Sequence, residues 1–406
     1  MMKIDRTSRQ LEGLRKWKAN QFKGIAQYPT GFGKTYTAIL AIRGMIKKAG
    51  IKSVLVVVPT IELKKQWEQE LKKNRISIAS VLVINTAIKS DHKVDFLILD
   101  EIHRYAADTF RRIFERASYK YIMGLTATLE REDGFHAIIL EYLQVFDEIT
   151  VNEALDNGWI SPYKVYNVAV DFTPEELAQY KKSDNSFKHF AAQLGRGAEA
   201  FRTAQEWIKS DNRERAGKAA AYYNSMRSRK KVCLNNTNKI DAVKSIVDLF
   251  PERNGLIFSA TTEFADSLQA RLGDIAMTFH SKLKKKDQDY VVKRFKDKRT
   301  KIRFLSSVQA LNEGFNVPDC SVGIIAGSNS TKRTMIQQLG RVVRYQEGKH
   351  AVIVNLYTPD TQEEKWMNKR LMDIAPHLIT NYTLTEFINH FKEQEICDLE
   401  IKSSGS

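Results

Sequence analysis

The sequence has few cysteines and no long apolar run. Cys233, Cys320 and Cys397 are far apart, with no C-x-x-C pair and no histidine cluster at metal-ligand spacing. These absences argue against a disulfide framework and against a zinc or iron–sulfur site. No stretch reaches the roughly 18 to 20 apolar residues of a membrane span, and the polar start MMKIDRTSRQ lacks the apolar core of a signal peptide. We expect a globular, cytoplasmic protein with no membrane partner.

Acidic residues are scarce relative to basic ones. Lys and Arg number 64 against 48 Asp and Glu, a net charge of +16. Such an excess favours a polyanionic partner such as nucleic acid, because binding releases condensed counterions. A solubilising surface charge is the alternative interpretation. The 406 residues are enough for two or three domains of ordinary size.

Apolar, β-branched runs are present in two groups. Segments with helical periodicity separate the runs of the first group, which are SVLVVVPT (53–60), VDFLILDE (94–101) and YIMGLTAT (121–128). The second group lies at 254–261, 301–308, 320–328 and 351–357. Continuous apolarity is typical of parallel strands buried on both faces. The sequence therefore predicts an α/β protein with two tandem parallel-sheet units.

The segment between the two groups, 172–231, shows no strand pattern and reads as helices. Thr173-Pro174-Glu175-Glu176 is typical of a helix start. The segment has 13 basic and 7 acidic residues. It could clamp nucleic acid, or it could be a linker with a solvated face. The predicted organisation is a first unit over 1–150, a linker and basic helical arm over 151–238, a second unit over 239–375 and a C-terminal tail over 376–406.

PTGFGKT at 29–35 is a Gly-rich loop between a short apolar entry and a helical run. Backbone N–H groups of such a loop surround phosphates at a helix N-terminus. Lys34 would reach the outer phosphates, and Thr35 would bind Mg²⁺. Tyr28 stands where the full G-x-x-x-x-G-K-[ST] pattern has glycine, and a chance match is the alternative. The predicted loop set is Thr30, Gly31, Gly33, Lys34 and Thr35.

Asp100 and Glu101 follow the run VDFLIL at its carboxyl end, where open α/β sheets place their ligands. Asp100 could hold Mg²⁺ through its water shell, and Glu101 could orient and deprotonate an attacking water. Two acids at this point could instead cap the next helix. Together with PTGFGKT in the same unit, they predict hydrolysis of a nucleoside triphosphate.

QQLGRVVR at 337–344 places Arg341 and Arg344 three residues apart, hence on one face of a predicted helix. Two guanidinium groups directed at one point suit the charge that develops on a γ-phosphate in the transition state. An exposed basic helix is the alternative.

These stretches together resemble superfamily 2 helicases of the DEAD/DEAH type, because they follow in the family's order. The resemblance covers roughly 8–357 and includes Gln10 with Trp17 seven residues later, PTGFGKT, VVVPTIELKKQW, DEIH, TAT, LIFSATTEFAD, ALNEGFNVPD and QQLGRVVR. XPB-type DNA helicases are similar in particular, through TATLERED (126–133) and NTNKI (236–240). Branch-migration helicases of the UvsW and RecG kind are similar more loosely.

The resemblance implies two RecA-like domains that bind ATP and Mg²⁺ between them, with Arg341 and Arg344 acting across the cleft. It adds Gln10, as the adenine contact, Gln337 and Gly314 to the nucleotide site. The sequence departs from the family at Arg9, where an aromatic residue is usual, and at Asn316, which replaces an aspartate.

The resemblance also implies a nucleic-acid strand that crosses both units. Arg131, followed by Glu132 and Asp133, would act where duplex strands separate. Any single hydroxyl in the predicted set could instead cap a helix or turn. The predicted contacts are Thr60, Thr86, Arg131, Ser259 and Ser307, with Arg227, Arg229 and Lys230 in the arm.

The function expected from the resemblance is an ATP-dependent DNA helicase or translocase moving 3′ to 5′ on single-stranded, duplex or branched DNA. Replication, recombination and repair proteins are candidate partners, in the nucleoid or in a host cytoplasm if the chain is phage-encoded. An RNA helicase, a non-unwinding translocase subunit of a larger complex, and a P-loop kinase or GTPase with a structural second half are the alternatives. The motifs bind phosphates and do not fix which sugar is chosen.

Overall fold

The computed structural model describes residues 4–129, 136–195, 197–280, 282–308, 320–327 and 332–393, and only the backbone of 108, 332–334, 336 and 337. Several residues named above lie outside this description: Arg131, Glu132, Asp133, Gly314, Asn316 and the side chain of Gln337. No helix in the described ranges is long and apolar enough to cross a membrane.

The first unit is built on a parallel six-stranded sheet. Its strands are β1 (Ile25–Gln27), β2 (Val54–Val58), β3 (Ala79–Val83), β4 (His92–Asp100), β5 (Ala117–Thr126) and β6 (Val145–Glu148). They lie in the order β3-β2-β4-β5-β1-β6, each parallel to its neighbours. Every residue of β2 is buried, which explains its uninterrupted apolar run.

Helices cover both faces of this sheet. They are α1 (Arg6–Ala19), α2 (Lys34–Ala49), α3 (Ile61–Lys73), α4 (Ile84–Ala87), α5 (Asp108–Arg111), α6 (Ile113–Arg116), α7 (His136–Tyr142) and α8 (Val151–Asp156), with a 3-10 turn at Ile102–Ala106. The α2 helix buries Ala38, Ile42 and Met45 along one stripe, as the spacing of its apolar residues predicts.

The second unit is built on a parallel seven-stranded sheet. Its strands are β7 (Tyr163–Ala169), β8 (Gly255–Ser259), β9 (Ala276–His280), β10 (Phe304–Val308), β11 (Val322–Ile325), β12 (Ala351–Tyr357) and β13 (Ile379–Thr383). They lie in the order β13-β7-β12-β11-β8-β10-β9. Its helices are α12 (Asn238–Asp248), α13 (Thr262–Leu272), α14 (Lys285–Lys296), α15 (Lys332–Val342) and α16 (Gln362–Leu371). The two predicted parallel sheets are confirmed.

The bounds of the second unit differ from the predicted 239–375, because β7 precedes them and β13 follows them. Both strands carry a polar residue where an apolar one was expected. In-register pairing aligns Asn355, Asn167 and Asn381 on three adjacent strands. Asn355 Nδ2 donates to Asn167 Oδ1 at 3.0 Å, and Asn167 Nδ2 donates to Asn381 Oδ1 at 2.8 Å. The asparagines hydrogen-bond one another inside the sheet, which offsets part of the cost of burying them, and Asn355 Oδ1 has no hydrogen-bond partner among the described residues.

The helical arm between the sheets consists of α9 (Pro174–Leu194), α10 (Ala198–Trp207) and α11 (Arg213–Leu234). Thr173 and Glu176 form a capping box at the start of α9, with Pro174 in the first turn, so the predicted helix start is confirmed. The NTNKI stretch joins the arm to the second unit: Asn236 Nδ2 donates to Val170 O at 3.1 Å, and the buried Lys239 Nζ lies 2.6 Å from Glu363 Oε1.

Candidate nucleotide site

The PTGFGKT loop connects β1 to the N-terminus of α2. Gly31 and Gly33 have φ of 95° and 106°, backbone conformations that residues with a side chain rarely adopt. Lys34 and Thr35 begin a helix of 16 residues, so that their free backbone N–H groups and its dipole favour an anion at the loop. Lys34 Nζ donates to Tyr28 O at 3.4 Å, which holds the ammonium group at the loop. The predicted phosphate loop is therefore built as the pattern requires.

The side chain of Tyr28 packs in the core next to this loop and does not line the phosphate site. Its side chain is fully buried, its hydroxyl donates to Asp147 Oδ2 at 2.7 Å, and its ring lies 5.1 Å from that of Phe32. A Cβ at Gly13 would lie 2.2 Å from the tyrosine hydroxyl, so α1 also packs closely here. The departure from glycine at this position thus places a supporting side chain in the core.

Asp100 ends β4 as a buried carboxylate. Trp67 Nε1 donates to its Oδ2 at 2.8 Å, and the backbone N–H of Glu101 donates to its Oδ1 at 3.0 Å. Burial raises the pKa of Asp100, while the Trp67 hydrogen bond and the Lys34 charge act in the opposite direction. Trp67 is a site residue that the sequence reasoning missed. The signal for it was a lone tryptophan in the otherwise polar stretch ELKKQWEQ.

Glu101 is connected to the TAT segment through His103. Glu101 has a φ of 50°, a left-handed conformation that is strained for a residue other than glycine and is found at functional sites. Its Oε2 lies 3.4 Å from His103 Nδ1, which lies 3.1 Å from Thr126 Oγ1. Thr126 Oγ1 in turn donates to Thr128 O at 2.7 Å. The acidic pair and the TAT segment thus share one polar network.

Gln10 lies directly against the phosphate loop. Its side chain is buried, and its Nε2 donates to Gly33 O at 3.3 Å and to Phe32 O at 3.4 Å. Its Oε1 is buried without a hydrogen-bond partner among the described residues. An acceptor in this state can take a hydrogen bond from an amino group. The structure therefore brings the predicted adenine contact to the loop.

Arg9, the residue before Gln10, anchors α1 to β6. Its guanidinium contacts Asp147 at 2.7 and 3.0 Å and Glu153 at 3.2 Å. Burial alone would raise the pKa of Asp147, but hydrogen bonds from Arg9, Lys16 and Tyr28 bring it below its ordinary value. An ion pair here replaces the aromatic residue that is usual in the family, and it fixes the helix that carries Gln10.

The end of α15 meets the phosphate loop from the second unit. A Cβ at Gly340 would lie 2.1 Å from Thr30 Cβ, and one at Gly31 would lie 3.7 Å from Arg344 Cα. Glycine at these positions allows the two backbones to approach. Arg341 is buried, and Arg344 is half-buried. The structure therefore brings together two segments that are some three hundred residues apart in the chain.

Arg341 and Arg344 do not share a helix face as predicted, because α15 ends at Val342. Ser161 Oγ donates to Arg344 O at 2.9 Å and accepts from the Gln346 N–H at 3.0 Å. Lys349 Nζ also donates to Arg344 O, at 3.0 Å. These bonds take the place of the hydrogen bonds that a longer helix would have made to this carbonyl group. Arg344 therefore lies after the end of the helix.

A cavity of about 700 Å³ separates the two units beside this contact. Pro29 and Thr128 line it from the first unit, and Met335 and Leu339 of α15 line it from the second. The units are also joined across their surface by an ion pair between Lys285 and Glu62 at 3.0 Å. The interface therefore combines direct contact at the loop with open space next to it.

The hydroxyls predicted to contact nucleic acid occupy different environments. Thr60 caps α3 by accepting from the Leu63 N–H at 3.2 Å, and Thr86 is exposed on α4. Ser259 and Ser307, at the carboxyl ends of β8 and β10, are buried. Their roles toward a strand stay predictions.

The three basic residues predicted in the arm point in different directions. Arg229 pairs with Asp184 at 2.7 Å and lies over the Phe187 ring at 3.8 Å. Lys230 Nζ lies 5.6 Å from the Trp366 ring of α16. Arg227 is exposed beside a groove between α10 and α11. Of the three, Arg229 holds the arm together, and Arg227 has the position of a surface contact.

Two family models match the chain. One, described as type III restriction enzyme, res subunit, matches residues 3–93 and 73–131, and the other, helicase conserved C-terminal domain, matches 238–346. Together they cover more than half of the chain, one on each unit. The chain thus pairs the two domains in the order of the predicted motifs.

Two curated relatives extend over nearly all of the chain. The DNA 3′-5′ translocase XPB2 of Sulfurisphaera tokodaii is 26% identical over 389 residues, which are 91% of this chain and 85% of that protein. The DNA 3′-5′ helicase XPB of Mycobacterium tuberculosis is 22% identical over 87% of this chain and 60% of its own length.

The fold is also that of a solved helicase structure. The Hef helicase domain of Pyrococcus furiosus matches with a TM-score of 0.57 at 16% identity, over 88% of this chain and 96% of that one. The chain thus carries the two domains of a superfamily 2 helicase on two RecA-like sheets and is an ATP-hydrolysing enzyme, and it is similar to XPB DNA helicases.

Proposed function

We propose that the chain is a DNA helicase or translocase that moves 3′ to 5′ and uses ATP with Mg²⁺. The observation that carries this proposal is the contact of the phosphate loop at Thr30 with Gly340, beside Arg341 and Arg344. A nucleotide held at that contact would touch both units at once. The names of the two relatives, a DNA translocase and a DNA helicase, support DNA as the substrate and the direction of movement.

The residues of the site fit a Mg²⁺-bound nucleoside triphosphate. Bound ATP supplies the phosphoryl group that water attacks. Lys34 and the loop N–H groups would bind its phosphates, and Thr35 and Asp100 would hold the metal. A divalent cation favours the ionised form of Asp100, which burial disfavours. The buried Oε1 of Gln10, which has no partner in the described structure, suits the amino group of adenine.

Glu101 and the two arginines would carry out the chemical step. Glu101 accepts a proton from the attacking water and orients it. Arg341 and Arg344 stabilise the charge that develops in the transition state, once the two units have closed. Because both arginines belong to the second unit, hydrolysis depends on closure.

The polar network from Glu101 through His103 to Thr126 offers a route from hydrolysis to movement. TAT precedes the Arg131 segment, for which we propose a role where the strands part. Thr60, Thr86, Ser259 and Ser307 would hold phosphates on the two units. Alternating closure and opening of the units would then shift the strand stepwise.

Unwinding assays on matched DNA and RNA duplexes with a 3′ or a 5′ overhang test this proposal. We expect ATP-dependent strand separation of DNA with a 3′ overhang, and none with Glu101→Gln. Strict preference for RNA would overturn the DNA assignment. Displacement of a triplex-forming strand without duplex unwinding would assign a translocase that does not unwind.

A further inference from the structure

The segment 281–303, which contains α14, is the most strongly basic stretch outside the sites described above. It has eleven Lys and Arg and three Asp and Glu, a net +8, which is half of the charge of the whole chain. The predicted basic arm, 172–231, is more than twice as long as this segment but has a smaller excess of basic over acidic residues. None of the nucleotide-site residues lies in this segment, so the proposed nucleotide chemistry does not explain its charge.

Two apolar residues fix α14, and its basic side chains face solvent. Val291 and Phe295 are buried in the core of the second unit. Arg299 pairs with Asp297 at 2.9 Å. Five further cations form no ion pair with an acidic residue in the described part of the chain: Lys293, Arg294, Lys296, Lys298 and Lys301. We call the exposed cations of this segment, from Lys282 to Lys301, the basic strip.

A groove of about 790 Å³ lies at the far end of the basic strip. Arg294, Arg299 and Lys301 line it together with Tyr290, which is 57% exposed. Tyr290 and Arg294 are four residues apart and therefore share a face of α14. Asp266 and Asp274 also line the groove, so the positive charge is concentrated on the α14 side.

The basic strip runs from the cleft between the units to the opposite edge of the second sheet. At its start, Lys285 of α14 pairs with Glu62 of α3 across the cleft. At its end, the groove contains Ala276 and Ile302, at the amino ends of β9 and β10. Since β9 has five residues, that edge is about 16 Å from the carboxyl edge where Ser259 and Ser307 lie.

We propose that the basic strip binds the phosphodiester backbone of the strand outside the cleft, and that the groove at Tyr290 is its distal contact. This inference rests on the proposed function. Cations without acidic partners that are spaced along one helix suit a nucleic-acid strand, whose phosphates are also regularly spaced. Each contact with a phosphate releases counterions and does not depend on the base sequence. Tyr290 supplies a ring on which a base or sugar can pack. The site adds affinity for long strands and takes no part in ATP hydrolysis.

The test uses the full chain with Arg294→Ala, Arg299→Ala and Lys301→Ala combined, in a binding assay over a length series of fluorescent single-stranded DNA. Lys47→Ala, Lys48→Ala and Lys52→Ala combined are the matched control, because they also remove three exposed positive charges. The α14 helix spans about 18 Å, so strands must extend by several nucleotides beyond the cleft to reach the groove.

For the shortest strands that bind, the groove variant and the wild type should have the same Kd. For long strands the variant should bind roughly tenfold or more weakly, and the slope of log K against log salt should fall by about 2 to 3. The control should follow the wild type. Equal losses at all lengths, or no loss at any length, would overturn the inference. If the wild type binds RNA instead of DNA, the same series on RNA still tests the groove, while the DNA assignment fails separately.

Discussion

Asp100 shows how one side chain can set the conditions of activity. It is buried, and Trp67 is the side chain that donates a hydrogen bond to its carboxylate. Because burial raises the pKa of Asp100, protons and Mg²⁺ compete for it more strongly as the pH falls. Loss of the tryptophan N–H would raise that pKa further, since it removes an interaction with the charged form.

We therefore expect Trp67→Phe, which keeps a ring but loses the donor, to need about tenfold more Mg²⁺ for half-maximal ATPase activity. A hydrogen bond to a charged group contributes roughly 1.5 to 3 kcal/mol. The difference from the wild type should grow between pH 8 and pH 6. Trp207→Phe, in the arm, is the control. Unchanged Mg²⁺ dependence at both pH values would show that Trp67 only fills space.

At single residues, the backbone conformation was predictable where a motif fixes it, while the roles of the site residues stay predictions. Gly31, Gly33 and Lys34 adopt the loop that their pattern describes. Trp67 was missed, because its hydrogen bond to Asp100 joins two segments that no local pattern relates. Arg229 was predicted as a nucleic-acid contact, which stays a prediction, and its ion pair with Asp184 of another helix of the arm could not be predicted from local sequence.

At the scale of elements, continuous apolar runs correctly predicted most of the buried strands. Some strands that contain polar residues were not recognised from the sequence. Asn167 and Asn381 made β7 and β13 look like loop and tail, although the two side chains bond to each other across the sheet. The end of α15 was equally hidden, because Ser161, far away in sequence, binds the backbone that follows it. Local patterns contain no information on such distant partners.

The attachment of α1 to β6 gives a prediction at this scale. Asp147→Asn removes the buried carboxylate that pairs with Arg9 and leaves the partly exposed Glu153 as its remaining acidic partner, which should lower the free energy of unfolding by about 3 to 5 kcal/mol at pH 7. Gln10 should lose its fixed position, so that the KM for ATP rises. Glu12→Gln, which removes only an exposed pair with Lys16, should cost less than about 1 kcal/mol.

The pH dependence of unfolding checks the same attachment. The pKa of Asp147 is lower in the folded protein than its ordinary value, which is about 3.9. Its contribution to stability is therefore present above that pH and is lost as the pH falls through the folded pKa. Thermal unfolding of the wild type should show this loss below about pH 4, and Asp147→Asn should lack it. Parallel profiles for both proteins would contradict the account.

At the scale of the whole molecule, the two parallel sheets followed from apolar patterning, but their meeting at the nucleotide site did not. Only the resemblance to helicases implied that 337–344 faces the phosphate loop. In the structure the two segments can meet because residue 340 is a glycine, which lets its backbone approach Thr30 closely. The basic strip on α14 has no counterpart in a motif and was visible only as charge.

The rate of ATP hydrolysis with single-stranded, duplex, forked and four-way DNA and with matching RNA shows directly whether the nucleotide site drives movement on DNA. We expect strong stimulation by DNA and little by RNA, with hydrolysis abolished by Lys34→Ala or Glu101→Gln while both variants still bind DNA. A rate that no nucleic acid changes, or hydrolysis that survives both substitutions, would contradict this expectation.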